Sequence, residues 1–160
     1  MASNNRATLT IHGVAAPGGS KSGFVVPGTR HANLTHASKK TRPWMDRVEW
    51  QAREQWEGEP IGKGYYVEVE VTFYLPRPGG HHSKASGKRS TSYRKHPTTK
   101  PDLTKLWRST EDALTGIVWK DDTQVSGSRL YKRYADLVDP CVLINIMWYD
   151  NTRDYDKEGE

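Results

Sequence analysis

The sequence predicts an α+β fold: one small sheet, largely antiparallel or mixed, packed with two main helices. Residues 65–75 (YYVEVEVTFYL) alternate between apolar and polar side chains, as expected for a half-buried strand. Residues 39–56 and 102–116 instead carry apolar side chains at helical spacing, which predicts one apolar stripe on each helix. A chain of 160 residues suits a single domain, which we expect over residues 1–150.

The remaining strands are predicted from shorter patterns. Residues 7–14 alternate and contain Thr, Ile and Val, which indicates an opening strand. Short β-prone pieces at 24–26 and 31–36 suggest a hairpin or meander. Two further strands are expected at 123–133 and 142–149, and the alternation is weaker in the second of them.

Capping residues set the expected helix ends. Thr41 suits the N-cap of the first helix, with Pro43 in the first turn, and Asp102 suits the N-cap of the second helix. Gly116 is suited to the C-terminal end of the second helix. The predicted core stripe of that helix comprises Leu103, Leu106, Trp107, Thr110, Leu114 and Ile117.

Charge is unevenly distributed along the chain. The net charge is +5, from 24 Lys and Arg against 19 Asp and Glu, and a modest excess of this kind is only a weak indication of nucleic-acid binding. Residues 79–99 are basic and almost without apolar side chains, which predicts a flexible loop or simply a linker. Residues 151–160 are acidic and are expected to be a disordered tail.

Cys141 is the single cysteine and lies in an apolar run, so we expect a buried structural thiol and no intramolecular disulfide. We expect a cytoplasmic protein, because the chain shows neither a secretory signal nor a stretch of about 20 apolar residues.

Acidic residues are concentrated between positions 100 and 125. Asp102 precedes the second helix, Glu111 and Asp112 lie on its polar face, and Asp121 and Asp122 follow it. Carboxylate oxygens are the ligands that Mg²⁺ and Mn²⁺ prefer, and such an ion activates water for phosphodiester hydrolysis. The segment therefore indicates a metal-dependent site.

Each of these residues also has a purely structural explanation. Asp102 could be only a helix cap, and the Asp121–Asp122 pair could be only a turn. Arg108 and Asp112 are four residues apart and could form a solvated ion pair. A weaker alternative is a transition-metal site at His81 and His82.

The same segment, KPDLTKLWRSTEDALTG followed by VWKDDTQV, resembles the signature of RusA-like crossover-junction endodeoxyribonucleases. In that family a helix reading Asp-x-Asp-Asn-Leu-x-Lys is followed by Asp-Ala-Leu and then by Asp-Asp-x-Gln-Val. The positions in register are Asp102, Leu106, Asp112, Ala113, Leu114, Gly116, Trp119, Asp121, Asp122, Gln124 and Val125.

The resemblance implies a homodimeric, Mg²⁺- or Mn²⁺-dependent nuclease, of a phage type, that resolves Holliday junctions in DNA recombination and repair. It places the catalytic and metal-binding acids on Asp102 and Asp122, with Asp121 beside them, and puts Arg108 where the family has a catalytic lysine. Branched DNA is the implied partner. Its phosphates are expected to contact Lys100, Lys105, Lys120, Arg89, Arg94 and Lys95.

One departure from the signature concerns metal binding: Thr104 stands where the family has its second aspartate. Glu111, two turns further along the same face, could replace that ligand, or the ion could keep more water. Alternatively the protein binds junctions of DNA without cutting them. A third class, a structural phage or plasmid protein whose basic loop orders on a partner, predicts no preference for branched DNA.

Overall fold

A computed structural model describes residues 5–19, 21–25, 27–28, 32–36 and 38–152 of the protein. It contains a mixed four-stranded sheet, a separate two-stranded sheet and two helices, so the predicted α+β class is confirmed. Most of the predicted acidic tail lies outside the described residues.

The predicted elements all form, with ends shifted by a few residues. Strand β4 has the predicted bounds, and the predicted hairpin is β2–β3, although Val26 and His31 lie outside the described residues. The elements are β1 (Arg6–His12), β2 (Lys21–Val25), β3 (Ala32–His36), α1 (Thr41–Gln55), β4 (Tyr65–Leu75), α2 (Leu103–Leu114), β5 (Val125–Tyr134) and β6 (Cys141–Asp150).

The larger sheet has the strand order β1-β6-β4-β5. Strand β6 is antiparallel to both β1 and β4, with Ile144 opposite Leu9 and Ile146 opposite Val69. Strand β5 is parallel to β4, and a parallel pair needs a long crossover, which α2 supplies. The start of β5 therefore lies beside the start of β4, and the turn that carries Asp121 and Asp122 lies there too.

The core forms where the apolar stripes of the two helices meet the sheet. The indole N–H of buried Trp44 on α1 donates to the Thr110 hydroxyl on α2 at 3.2 Å, which links the two helices. The predicted stripe of α2 is confirmed, with Leu103 only partly buried. The core residues with no exposed surface are Ile11, Val48, Ala52, Val67, Val71, Phe73, Leu106, Leu114, Val118, Trp119, Val142, Ile144 and Ile146.

The predicted helix caps are correct for α2 and wrong for α1. Lys40 is the N-cap of α1, whereas Thr41 is the first helical residue and its hydroxyl donates to the carbonyl of Pro17 at 2.6 Å. Asp102 is the N-cap of α2 as predicted, although its carboxylate makes no capping hydrogen bond. Gly116 follows the C-terminal end of α2 with φ of 86°, a left-handed conformation that suits glycine.

Two glutamines of α1 make hydrogen bonds to the backbone at the outer edge of β1. The Gln55 side-chain amide accepts from Thr10 N–H at 2.9 Å and donates to Thr10 C=O at 2.8 Å. One turn earlier, the Gln51 amide accepts from His12 N–H at 2.8 Å and donates to His12 C=O at 2.9 Å. Each amide thus makes both hydrogen bonds that a neighbouring strand would make.

Replacing Gln51 with Ala (Gln51→Ala) should lower the free energy of unfolding by about 1–3 kcal/mol, because the His12 N–H loses the Gln51 side chain as its partner and the His12 C=O keeps the longer hydrogen bond of 3.5 Å from Arg47. Urea unfolding measures this difference. The matched control is Glu54→Ala on the exposed side of the same helix, which should change stability by less than about 0.5 kcal/mol. Equal losses in the two variants would contradict this account of Gln51.

Candidate active site

Helix α2 presents one polar stripe to solvent. Thr104, Arg108 and Glu111 follow one another at spacings of four and three residues and therefore share a face. Thr104 and Arg108 are exposed, and Glu111 is half-buried, while the opposite side of the helix belongs to the core. Thr104 and Arg108, which stand where the resembled signature has an aspartate and a lysine, thus lie in one row with Glu111.

Asp122 begins a single turn of 3-10 helix, Asp122–Gln124, and is exposed. The turn is anchored by the buried side chain of Gln124, whose amide donates to the carbonyl of Gly62 at 2.7 Å and to that of Tyr65 at 3.1 Å. The carboxylate of Asp122 is therefore accessible, yet it stands on a turn that is fixed to the start of β4.

Glu111 and Asp122 are electrostatic neighbours. Burial, and then the charges of Asp122 and Asp112, raise the pKa of Glu111 to about 7, while Arg108 opposes the rise. The charges of Asp122, on the turn, and of Arg108, on α2, therefore both act on the Glu111 carboxyl. From the sequence, the use of Glu111 as a replacement ligand was only one of three explanations for finding Thr104 in place of an aspartate.

Stability should depend on pH through Glu111. The folded-state pKa is raised above the usual value of 4.5, so this contribution is fully present below about pH 4.5 and is lost as the pH rises through about 7. We expect Glu111→Gln to remove that loss, so that the variant gains stability relative to the native protein between pH 5 and pH 8. Urea unfolding at both pH values measures this, and a constant difference between the proteins would contradict it.

Asp121 has a different environment from Asp122. Its carboxylate accepts from the Thr123 N–H at 3.0 Å and the Thr123 hydroxyl at 2.7 Å, and these hydrogen bonds, followed by Lys63 at 3.6 Å, hold its pKa below the usual range. Gln124 completes a capping box by accepting from Asp121 N–H at 3.0 Å. These contacts stabilise the turn. The role of Asp121 as a metal ligand stays a prediction.

Asp102 lies at the other end of α2. Its carboxylate is 3.6 Å from the Lys105 ammonium group. Nine residues separate Asp102 from Glu111, which corresponds to about 13 Å along a helix axis. Because metal–oxygen bonds are about 2 Å long, we expect at most one of the two carboxylates to ligate a given ion.

The start of α2 is held in place by Lys132 of β5. The ammonium group of Lys132 donates to the carbonyl of Thr99 at 3.0 Å and to that of Pro101 at 2.9 Å. Sequence reasoning did not select Lys132, because only the parallel pairing of β5 with β4 brings it under this segment.

The donor set around Glu111 suits a hard divalent cation. Within the described part of the chain, no three His, Cys, Asp or Glu side chains come together as a complete metal-binding group. Mg²⁺ nevertheless often uses only one or two carboxylates and takes its other ligands from water and substrate phosphates. Glu111 and Asp122 can supply those carboxylates, and a cation between them would relieve the like-charge repulsion.

The predicted basic loop has local structure. Arg94 donates to the carbonyls of Thr91 and Tyr93, and the Arg89 guanidinium lies 4.5 Å from the centre of the Tyr93 ring. Lys95 and Lys120 are exposed, as are Arg89 and Arg94. The flexibility of the loop stays a prediction, although these contacts hold part of it.

Arg77 anchors this loop and was not selected from the sequence. Its guanidinium makes two hydrogen bonds of 2.7 Å to Asp136, lies 4.0 Å from the centre of the Tyr134 ring, and donates to the carbonyl of Arg94 at 2.7 Å. It also lies 3.1 Å from Nδ1 of His81. Apart from His81, these partners lie 17 or more residues away in the sequence, so no local pattern reveals it.

The His81 imidazole does not favour the alternative metal site. The ring is buried, packs edge-on against Tyr134 and faces the Arg77 guanidinium. Burial, and then Arg77, lower the pKa of His81. A cation at Nδ1 would meet a positive charge there, so the ring is better explained as packing.

Within the described residues, neither helix has the length and apolar character needed to cross a membrane.

The fold and this site together define a class: an α+β domain that carries carboxylates and basic side chains on one helix and on the turn that follows it, groups of the kind that bind a divalent cation and a phosphate. The family model "Endodeoxyribonuclease RusA" matches residues 24–147, and the chain belongs to this family. The chain is also similar to "Uncharacterized protein YqaN" of Bacillus subtilis (strain 168), at 29% identity over 129 residues that cover 80% of this chain and 87% of the relative. The resemblance drawn from residues 100–125 is therefore confirmed at the level of the family.

Proposed function

We propose that this protein is a metal-dependent endodeoxyribonuclease that hydrolyses phosphodiester bonds in branched DNA and resolves Holliday junctions. Membership of the family supports the endonuclease activity. The observation that carries the proposal is the family match over residues 24–147. The exposed Asp122 carboxylate on its anchored turn, whose charge acts on Glu111, supports a site there for a divalent cation and a phosphate.

In this proposal Glu111 replaces the ligand that Thr104 cannot supply. A bound Mg²⁺ or Mn²⁺ would activate water and stabilise the charge that develops on the phosphoryl oxygens. Asp122 and Glu111 hold the cation from two elements, the anchored turn and α2. Arg108, one turn before Glu111, neutralises charge on the same phosphate, and its planar guanidinium can bind two oxygens at once.

The family resemblance supports a second distribution of roles, in which Asp102 and Asp122 hold the cation and Asp121 assists. The separation of about 13 Å between Asp102 and Glu111 makes the two versions exclusive for a single ion. Comparing Asp102→Asn with Glu111→Gln decides between them: the variant that weakens divalent-cation binding identifies the partner of Asp122.

Basic side chains on both sides of the site would bind the DNA backbone. Lys105 and Lys100 lie at the start of α2, and Lys120 precedes the Asp121–Asp122 pair. Arg89, Arg94 and Lys95 extend this set into the basic loop. Such contacts make affinity fall with salt but carry no sequence preference.

Cleavage of a synthetic four-way junction and a matched linear duplex, with Mg²⁺, Mn²⁺ or EDTA, tests the proposed function. We expect metal-dependent cutting of the junction and little cutting of the duplex, from a protein that binds as a homodimer. Cutting of both substrates at equal rates would argue for a general nuclease, and absence of cutting with every metal would overturn the catalytic proposal.

Thr104 favours one alternative, a protein that binds junctions without cutting them. Calorimetry separates the two functions, since a binder needs no divalent-cation site. If Glu111 ligates the cation, binding requires its ionised form. Metal binding should then release protons and be weaker at pH 6 than at pH 8, because the pKa of Glu111 is about 7.

A further inference from the structure

A cavity of about 900 Å³ opens beside the N-terminal end of α2. Its wall combines the loop that follows β1, the segment before α1, the end of β4 and residues 100–102. It contains Asp102 and Lys105 but neither Glu111 nor Asp122, so it extends away from the carboxylate pair. Lys100 and Lys105, which the proposed function assigns to the DNA backbone, and Asp102 line it, so the cavity adjoins the path proposed for the DNA.

The loop that forms one side of the cavity is fixed from two directions. The Ser109 hydroxyl of α2 donates to the carbonyl of Ala16 at 2.6 Å, and Thr41 of α1 holds Pro17 in the same way. Gly18 N–H donates to the carbonyl of Lys105 at 2.8 Å, and a Cβ at Gly18 would lie 2.9 Å from the Cβ of Ser109. The wall is therefore held in position before any ligand arrives.

Part of the inner surface of the cavity is apolar. Val14 is 56% exposed although it is a valine on a firmly held loop, and Pro17, Pro76 and Pro101 line the same space. Apolar surface of this kind loses contact with water when a flat apolar group covers it, which is favourable. The volume also lies within the range of small-ligand sites.

Charge at the cavity identifies the kind of ligand. Lys40, Lys100 and Lys105 line it and are exposed, against one acid, Asp102. Three positive charges and one negative charge leave a net charge of +2, which attracts an anion. A ligand that joins an anionic part to a flat apolar part fits both features, and a nucleotide has this chemistry.

We propose that this cavity accepts one nucleotide that is unpaired and unstacked from the branch point of the DNA when the protein binds. The base lies against Val14 and the three prolines, and the flanking phosphates contact Lys40 and Lys100. Removing a base from a continuous duplex costs a few kcal/mol of unpairing and unstacking, and the proposal requires this cost to be lower at a branch point, where the stack of base pairs is interrupted. The inference rests on the proposed function and adds to it a physical reason for choosing branched over linear DNA.

The test uses the fluorescence of 2-aminopurine placed at the branch point of a four-way junction, in EDTA so that no strand is cut. Unstacking raises its fluorescence, and none of the described residues that line the cavity is aromatic and able to quench it. We expect a severalfold rise when the native protein binds the junction, and no rise with the same base inside a linear duplex.

Two valines provide a matched pair of variants. Val14→Glu places a negative charge in the cavity and should abolish the rise, whereas Val138→Glu alters a valine of similar exposure, 49%, outside the cavity and should preserve it. Lys40→Gln should reduce the slope of log affinity against log salt concentration by about 1, which corresponds to the loss of one phosphate contact.

The possible results separate the two proposals. Junction binding without a fluorescence rise at any branch-point position, or a rise that survives Val14→Glu, would overturn the cavity proposal and leave the nuclease intact. Failure to bind the junction at all would overturn both.

Discussion

Asp122→Asn is expected to lower the rate of junction cleavage by roughly 1,000-fold while junction binding changes little, because a metal ligand supplies several kcal/mol of transition-state stabilisation. The side chain is exposed and its turn is anchored by Gln124, so the substitution should leave the fold intact. Single-turnover cleavage measures the rate, and an electrophoretic shift in EDTA measures binding.

Asp112→Asn is the matched control for Asp122→Asn. Asp112 is also exposed and also contributes to the electrostatic environment of Glu111, but it belongs to neither version of the proposed cation site. A large loss in both variants would point to the general negative potential of this region. A large loss in Asp122→Asn alone would support direct ligation.

Trp119→Ala is expected to lower the free energy of unfolding by about 3–5 kcal/mol, since a large side chain is removed from the core. Trp119 has no exposed surface, lies 6.5 Å from the ring centre of Trp107 and donates its indole N–H to the Thr115 hydroxyl at 3.2 Å. The total stability of a domain is about 5–15 kcal/mol, so this is a large share. Urea unfolding measures the change.

Trp50→Ala is the control, because Trp50 is 64% exposed and should contribute less than about 0.5 kcal/mol. Trp119→Phe keeps an aromatic ring in the core and should recover much of the lost stability. Since Trp119 precedes Asp121 and Asp122 by two and three residues, loosening its packing should also lower cleavage. Equal losses for Trp119 and Trp50 would contradict the packing described for Trp119.

The fold was largely predictable because its signals are local. The alternation of β4 gave the strand bounds without error, and the apolar spacing of α2 identified its buried stripe. The cap of α1 was predicted wrongly because the hydroxyl of Thr41 is used by a tertiary contact to Pro17. A tertiary contact of this kind cannot be predicted from the residues on either side of Thr41.

The site was predictable in composition but not in arrangement. The acids of residues 100–125 were selected from the sequence, yet their separate tasks depend on the turn, which engages Asp121 and leaves Asp122 accessible. The raised pKa of Glu111 arises from burial and from a carboxylate eleven residues away in sequence, and neither is visible before the chain is folded. The contact between Arg77 and Asp136 spans 59 residues.

The glutamines on α1 have a consequence for self-association. The four-stranded sheet ends at β1 on one side and at β5 on the other, and open strand edges are the places where copies of a protein join edge to edge. Gln51 and Gln55 occupy the outward N–H and C=O groups of Thr10 and His12, so these two positions of β1 cannot pair with a strand of another copy. Edge-to-edge pairing at β1 is thereby limited to the first residues of the strand, which works against filaments that grow through both edges of the sheet.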